Sequence, residues 1–451
     1  MRTMVVAVVL LAGGSASALA AETLSWPQFR GADSRGVVQG THPTDTWSAT
    51  ENVAWNATIP GRGWSSPVVW GNRIFLTTAV SEGEGVEAKR GLYFGGNPKE
   101  KPKDPRQWKV YCLDLESGEV LWDVVADRGV PKYGVHIKNS MASETPVTDG
   151  RRVYAYFGNV GVFAYDFAGK LVWEKKLDPV KTRFSWGTAA SPVLYDGRLY
   201  IVNDNDEQSY LLALDAETGK EIFRVERDEK SNWATPFVWV NEQRTELVTP
   251  GTTRVRSYTL DGKPLWELGG MSSIAIPTPF ARDGLLYVAS GYILDKQKPV
   301  FAIKPGASGD ISLAPDEASN EYVAWVRKKA GPYNPSPLLY GDYLYVLLDR
   351  GFLTCYNAKT GEEVYGRKRL PGGKAFTASP WAYDGKIFCL SEYGETFVVR
   401  AGAEFELLHV NRLGEDTLAM STPAIAGDRL ILRTDQGIFC IAPVSAETKS
   451  K

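Results

Sequence analysis

The chain repeats one short signal eight times, a Ser-Pro or Thr-Pro pair that opens an apolar run. Successive prolines lie 43 to 46 residues apart, except for two longer intervals of 79 and 58 residues. This period is typical of a four-stranded propeller blade and exceeds that of the shorter helical or leucine-rich repeats. The eight prolines are Pro67, Pro146, Pro192, Pro236, Pro279, Pro337, Pro380 and Pro423.

Each period contains the same order of strand and turn signals. In the third repeat an apolar strand ends at Asp196-Gly197, a pair that favours positive φ and a tight hairpin. The second and third strands are predicted at 199–202 and 210–214, and a fourth strand carries Phe223. Tight hairpins join antiparallel neighbours, so each period predicts one twisted four-stranded sheet.

The fourth strand carries a large side chain at one equivalent position in every repeat. We expect these side chains to pack between neighbouring blades, because a large ring at a repeated position buries the same surface each time. They are Trp55, Trp122, Trp173, Phe223, Trp266, Trp325, Tyr365 and Leu408.

The two ends of the chain complete the count of strands. The eighth repeat stops after its third strand, and the sequence VAWN at 53–56 supplies a fourth. Pairing of the two would leave no open sheet edge at the junction. The predicted fold is therefore all-β, an eight-bladed β-propeller of four-stranded antiparallel blades, with the ring closed by an N-terminal strand. It occupies 51–443, after an N-terminal extension at 21–50 and before a tail at 444–451, and insertions at 81–108 and 304–321 are predicted surface loops.

The first twenty residues have the features of a secretory signal peptide. Arg2 precedes an apolar run at 4–12, and Ala18-Leu19-Ala20 forms a cleavage site. The run is too short for a permanent transmembrane helix, so we expect a periplasmic or secreted protein without stable membrane insertion. The formal net charge of −2 gives no electrostatic reason for a nucleic-acid partner. We expect a monomer.

Three sets of residues resemble known propellers. The motifs CLDLESG at 112–118 and ALDAETG at 213–219, each followed by an aromatic residue, resemble the pyrroloquinoline-quinone (PQQ) type repeat. The motifs WPQFRG at 26–31, HIKNS at 136–140 and RDEKSNW at 227–233 are similar to exported PQQ-like proteins of planctomycete-type bacteria. The fold also resembles that of BamB, which implies a scaffold for protein partners.

The sequence lacks the cofactor-binding motifs that are typical of quinoprotein dehydrogenases. No two cysteines are adjacent, no Cys-x-x-Cys-His motif occurs, and no calcium-binding Glu, Asn and Asp set can be placed. PQQ with Ca²⁺ therefore stays an alternative, and the sequence indicates no firm cofactor.

The positions of the cysteines and histidines predict neither a disulfide nor a metal site. Cys112, Cys355 and Cys440 share one third-strand position, where other blades have alanine, and Cys389 lies in a second strand. Such positions lie too far apart for a disulfide, so four buried thiols are predicted. The three histidines, His42, His136 and His409, lie in unrelated segments and predict no shared metal.

The loops before the first strands should surround one mouth of the central channel, together with the loops between second and third strands. Aromatic faces beside Arg, Lys and carboxylates suit a planar or sugar-like ligand with anionic groups. Arg183, Lys374 and Phe376 belong to the same loops. The candidate binding residues are Arg62, Trp64, His136, Lys138, Asn139, Glu144, Trp186, Arg227, Glu229, Lys230, Trp233, Tyr333 and Asn334.

Three functions are open on the sequence. The first is a scaffold that binds a small molecule or a protein partner at the channel mouth. The second is a PQQ-dependent oxidoreductase, and the third is a glycan-active enzyme with paired carboxylates such as Glu144 and Glu229. No catalytic nucleophile and base can be named from the spacing.

Overall fold

The computed structural model describes residues 24–83, 87–92, 95–98 and 100–443. The predicted signal peptide at 1–20 and the predicted tail at 444–451 lie outside the described residues. Among the residues described, no helix is long and apolar enough to cross a membrane.

The described residues form eight antiparallel four-stranded sheets, which are the blades of a propeller. The predicted all-β, eight-bladed propeller is thereby confirmed. Blade 1 consists of β2 (Val68–Trp70), β3 (Arg73–Ser81), β4 (Arg106–Asp114) and β5 (Val120–Gly129). Blade 2 consists of β6 (Val147–Thr148), β7 (Arg152–Phe157), β8 (Gly161–Asp166) and β9 (Leu171–Lys176). Blade 3 consists of β10 (Val193–Tyr195), β11 (Arg198–Asn203), β12 (Ser209–Asp215) and β13 (Glu221–Arg227).

The other blades follow the same plan, with one short addition. Blade 4 consists of β14 (Phe237–Val240), β15 (Thr245–Pro250), β16 (Arg254–Tyr258) and β17 (Pro264–Gly269). Blade 5 consists of β18 (Phe280–Arg282), β19 (Leu285–Ala289), β20 (Val300–Ile303) and β22 (Val323–Arg327), and its inserted strand β21 (Gly309–Asp310) pairs with β17. Blade 6 consists of β23 (Leu338–Tyr340), β24 (Tyr343–Leu348), β25 (Phe352–Asn357) and β26 (Glu363–Arg369). Blade 7 consists of β27 (Trp381–Tyr383), β28 (Lys386–Leu390), β29 (Glu395–Arg400) and β30 (Leu407–Arg412).

Blade 8 combines both ends of the described chain. It consists of β31 (Ala424–Ala426), β32 (Arg429–Arg433), β33 (Gly437–Ile441) and β1 (Val53–Thr58). Strand β1 pairs antiparallel with β33, with Trp55 opposite Cys440. A single 3₁₀ turn, Arg183–Ser185, lies outside the blades in the described residues.

The first turns of blades 3 and 7 follow the predicted hairpin chemistry. Asp196 and Gly197 have φ of 49° and 69°, and Asp384 and Gly385 repeat these values at 49° and 70°. Both residues of such a turn lie in the left-handed region, which matches the twist of the two strands that it joins. The predicted hairpin is confirmed.

The large side chains of the fourth strands pack against the following blade, as predicted. Trp173 Nε1 donates to the Ala216 carbonyl at 3.0 Å, and its ring lies over Gly219, where an added Cβ would stand 2.5 Å from the ring. Trp55, Trp122 and Trp325 each donate to the next blade at 3.0 Å in the same way. Each indole therefore joins two sheets through both its apolar face and its N–H group.

Trp266 is an exception, because its Nε1 donates to Glu246 of its own blade at 2.6 Å. Its ring still belongs to the buried core between blades 4 and 5.

Hydrogen bonds connect six of the eight neighbouring pairs of Ser and Thr residues that precede the repeated prolines. The Ser66 N–H donates to Thr145 Oγ1 at 3.0 Å, and the Thr145 N–H donates to Ser191 Oγ at 2.9 Å. The same bond recurs from Ser191, Thr278, Ser336 and Ser379 to the next blade, at 2.9–3.0 Å. We call these residues the hydroxyl belt: Ser66, Thr145, Ser191, Thr235, Thr278, Ser336, Ser379 and Thr422.

The N-terminal extension occupies the central channel. Pro27 accepts the N–H of Thr148 in blade 2 at 2.9 Å. Three residues later, Arg30 Nη2 donates to the Pro337 carbonyl in blade 6 at 2.8 Å. Blades 2 and 6 stand on opposite sides of an eight-bladed ring, so a segment that contacts both must cross the channel.

Replacing Trp173 with Ala is expected to lower the free energy of unfolding by about 3–5 kcal/mol, because it removes the interblade ring and its hydrogen bond. Urea denaturation followed by circular dichroism measures the change. Val172→Ala is the matched control, since Val172 precedes it on β9 and is 42% exposed. Equal losses in the two variants would contradict the interblade role of Trp173.

Candidate functional site

A cavity of about 400 Å³ lies at one mouth of the channel. Its wall comes from loops of all eight blades and from Phe29 of the N-terminal extension. The contributing loops precede the first strands or join the second and third strands, and both kinds emerge on one face. Loops that are distant in sequence therefore share a single cavity.

The structure brings eight of the thirteen predicted residues to the cavity. Those that line it are Trp64, His136, Lys138, Asn139, Trp186, Trp233, Tyr333 and Asn334. The five that do not line it are Arg62, Glu144, Arg227, Glu229 and Lys230.

Arg227 is held by protein groups away from the cavity surface. Its Nε and Nη2 donate to the two carboxylate oxygens of Asp204 at 2.8 and 3.0 Å, and neither side chain is exposed. Its Nη1 also donates to Thr249 Oγ1 at 2.7 Å and Tyr258 Oη at 2.9 Å. A guanidinium with these contacts stabilises blades 3 and 4.

The carboxylates of Glu144 and Glu229 also accept hydrogen bonds from other residues of the protein. Glu144 accepts the N–H of Gly158 at 3.1 Å and the hydroxyl of Thr188 at 2.5 Å, and burial raises the pKa of its carboxyl. Glu229 accepts the N–H of Thr252 at 2.8 Å and pairs with a neighbouring arginine.

The other two predicted residues outside the lining differ in exposure. The Arg62 guanidinium donates to the carbonyl of Ile137 at 2.7 Å and to that of Asn139. Lys230 is exposed to solvent outside the cavity lining.

Four aromatic side chains form one wall of the cavity, and we call Trp186, Trp233, Tyr292 and Tyr333 the aromatic wall. The centroids of Trp186 and Trp233 are 5.7 Å apart, and those of Tyr292 and Tyr333 are 5.4 Å apart. Trp233 Nε1 donates to the Gly187 carbonyl at 2.6 Å, which fixes its ring. Rings held in this way can stack against a planar or sugar ring.

A buried ion pair stands at the same cavity. Lys138 Nζ lies 2.5 Å from Glu392 Oε1, and the Glu392 side chain is fully buried. Glu392 also accepts the Thr377 hydroxyl at 2.6 Å and the Gly91 N–H at 2.8 Å. The carboxylate is thereby satisfied, so Lys138 is held in one position at the cavity surface.

Asp349 is a second carboxyl at the cavity, and it has few protein partners. The N–H of Asn334 donates to Oδ1 at 2.9 Å, and the backbone of Tyr333 and of Asp349 itself also interacts with the carboxyl. Burial raises the pKa of Asp349 to about 6, and the backbone hydrogen bonds and the charge of Lys138 oppose this change only in part. A carboxyl of this kind can accept donors from a ligand or exchange a proton near neutral pH.

The insertion of blade 1 extends across the mouth of the cavity. His136 Nε2 lies 2.7 Å from the Gly95 carbonyl oxygen, and Arg90 Nη1 donates to the Thr417 carbonyl at 3.0 Å. The described part of the loop thus contacts loops of blades 2 and 8. Gly91, Leu92 and Gly95 line the cavity, so this predicted surface loop is also part of its wall.

Asp349 and Glu392 were absent from the sequence-based set. Both follow a second strand, whereas the candidates were taken from loops that precede first strands. The sequence did contain a signal for both residues, since each is an acidic residue that follows the apolar run of a second strand.

The described residues contain no group of three or more His, Cys, Asp or Glu side chains that could hold a metal ion. All four cysteines are free and buried, as predicted. Burial raises the pKa of the Cys112 thiol to about 11, so this side chain is a poor nucleophile.

The comparisons with known proteins assign the family. The profile of the PQQ_2 family, described as outer membrane protein assembly factor BamB, matches residues 106–364, more than half of the chain. The chain belongs to this BamB-like family. A search of curated protein sequences finds no match to this BamB-like chain.

Solved structures share the fold of this BamB-like protein at low sequence identity. BamB from Moraxella catarrhalis has 12% identity and a TM-score of 0.51, with 82% of this chain and 98% of that chain covered. The computationally designed Ika8 protein has 11% identity and a TM-score of 0.51, with 80% and 100% covered. The quinohemoprotein alcohol dehydrogenase ADHIIG from Pseudomonas putida has 13% identity and a TM-score of 0.56, with 94% and 78% covered. At such identities the likeness establishes the fold alone.

Replacing Asp349 with Asn is expected to stabilise the protein above pH 6. The folded carboxyl, with a pKa of about 6 against an ordinary value of 3.8, binds its proton more tightly than the unfolded one. The wild-type protein therefore loses stability as the pH rises from about 4 to about 6, by about 1–3 kcal/mol, and the variant does not.

Urea denaturation of both proteins at pH 4 and pH 8 measures this difference. Asp316→Asn, at an exposed position, is the control. An Asp349→Asn variant that is equally or less stable than wild type at pH 8 would refute the raised pKa.

Proposed function

We propose that this BamB-like propeller binds a small organic ligand in the cavity at the channel mouth. One observation carries the proposal: the aromatic wall, the ammonium of Lys138 and the carboxyl of Asp349 all line one cavity of about 400 Å³. That size lies within the usual range for small-molecule sites, which combine apolar walls with a few placed polar groups.

The side chains favour a planar or sugar-like ligand. Its flat face would stack on Trp186 and Trp233, as aromatic rings do with such groups. Its hydroxyl or amine donors would be accepted by the carboxyl of Asp349, which lines the cavity. An acidic group of the ligand would find the ammonium of Lys138.

A protein partner at the same mouth is the second candidate. Four apolar side chains stand exposed around the rim: Leu92 is 45% exposed, Phe184 56%, Ile293 36% and Leu294 66%. Exposed apolar groups clustered beside a cavity favour protein docking. The family, which is named for an assembly factor, supports this reading.

The two enzymatic alternatives receive less support. PQQ chemistry does not fit the described residues, because Glu392 is neutralised by Lys138 and Asp349 alone could offer a free carboxylate to Ca²⁺. Glycan hydrolysis by Glu144 and Glu229 lacks a shared cavity, since neither side chain lines it. We also propose a periplasmic or secreted location, which depends on the signal sequence at 1–20.

Tryptophan fluorescence and thermal shift can test the binding proposal with a panel of aromatic acids, sugar acids and PQQ with Ca²⁺. For a compound that binds wild type, Trp186→Ala is expected to weaken the affinity about 2- to 10-fold, since stacking contributes about 0.5–1.5 kcal/mol.

Trp70→Ala is the matched control, because Trp70 is also half-buried but packs against Gly150, outside the cavity lining. Its ligand affinity should equal that of wild type. Equal affinities of wild type and Trp186→Ala for every bound compound would rule out the cavity, and an absorbance change with PQQ and Ca²⁺ would favour the oxidoreductase.

A further inference from the structure

The hydroxyl belt has unused hydrogen-bond donors at the cavity. Each hydroxyl of six belt residues accepts the N–H of the preceding blade. A Ser or Thr hydroxyl also has one O–H to donate, and no described residue accepts it from any of the six. These six residues are 5% exposed or less and line the deep part of the cavity: Thr145, Ser191, Thr235, Ser336, Ser379 and Thr422.

Arg30 is a buried cation close to the belt, although its side chain is not part of the cavity lining. Its guanidinium carbon lies 5.6 Å from the centroid of the Phe280 ring. Arg30 is 1% exposed, and its Nη2 donates to the carbonyls of Arg35 at 3.0 Å and Pro337 at 2.8 Å. Its Nε and Nη1 have no hydrogen-bond partner, and no described carboxylate forms an ion pair with it. Pro337 directly follows Ser336 of the belt, so the guanidinium lies beside the belt.

The belt hydroxyls and the guanidinium of Arg30 could both be satisfied by one negatively charged hydrogen-bond acceptor. Burial lowers the pKa of Arg30 to about 9, so the side chain is still charged at neutral pH. An unpaired buried charge and unpaired buried donors are each unfavourable. A water molecule would accept two of the donors and add two hydrogens that need acceptors of their own.

We propose that the floor of the cavity binds one small monovalent anion, through the O–H groups of the hydroxyl belt and the charge of Arg30. The anion is either a free halide or the carboxylate of an organic ligand. Binding of a free halide would be independent of the proposed function. Binding of a ligand's carboxylate rests on the proposed function.

Crystals of the full mature chain grown with sodium bromide test the site directly. We expect an anomalous bromide peak within about 3.5 Å of at least two belt hydroxyl oxygens. Ordered water only, or a bromide peak elsewhere and none at the floor, would overturn the proposal.

Thermal unfolding in chloride and in gluconate, at constant ionic strength, tests the same site in solution. Chloride is expected to raise the Tm of wild type by about 2–5 °C in a saturable manner. Arg30→Met should abolish this increment. Arg433→Met is the matched control, because Arg433 is also buried but donates to the carbonyls of Ser65 at 2.9 Å and Thr77 at 2.8 Å.

Formate in place of chloride distinguishes the source of the anion. Stabilisation by both ions supports a general monovalent site, and stabilisation by formate alone supports the carboxylate of a ligand. If neither ion stabilises wild type more than it stabilises Arg30→Met, the proposal fails, even if an organic ligand still binds the aromatic wall. If an arginine variant does not fold, the bromide experiment on wild type decides.

Discussion

The bond from a Ser or Thr N–H to the hydroxyl of the following blade, which occurs at six of the eight blade junctions, is the interaction on which the rest of the structure depends. It joins the starts of neighbouring first strands, as between Ser66 and Thr145 at 3.0 Å. The proline that follows has no N–H and keeps the preceding residue extended, so the geometry is the same at each of these six junctions. The loops before these strands are thereby held around one channel, and those loops build the cavity.

The N-terminal extension determines what kind of cavity this is. An open channel through a propeller would have two mouths, but residues 26–38 cross it between Thr148 and Pro337. Phe29 of this segment lines the cavity. The site is thus a pocket with a floor, formed by the belt and the extension, and its rim is completed by the insertion of blade 1.

The periodic part of the structure could be predicted from the sequence, because each blade repeats local rules. The Asp196-Gly197 hairpin and the interblade position of Trp173 follow from residue type and spacing alone. The partners of charged side chains could not be predicted in this way. Lys138 meets Glu392, which is 254 positions away in sequence, and no periodicity relates the two. Arg227 is the last residue of β13, at the start of a loop on the predicted face, yet its ion pair with Asp204 keeps it out of the cavity.

Amide hydrogen exchange at the belt tests most directly whether these bonds hold the ring and its site together. If they do, the N–H groups of Ser66, Thr145 and Ser191 will exchange only through global unfolding, with the same free energy as the core strands. Exchange at these positions as fast as in the exposed loop at 314–319 would contradict the account, because the cavity would then lack a fixed frame.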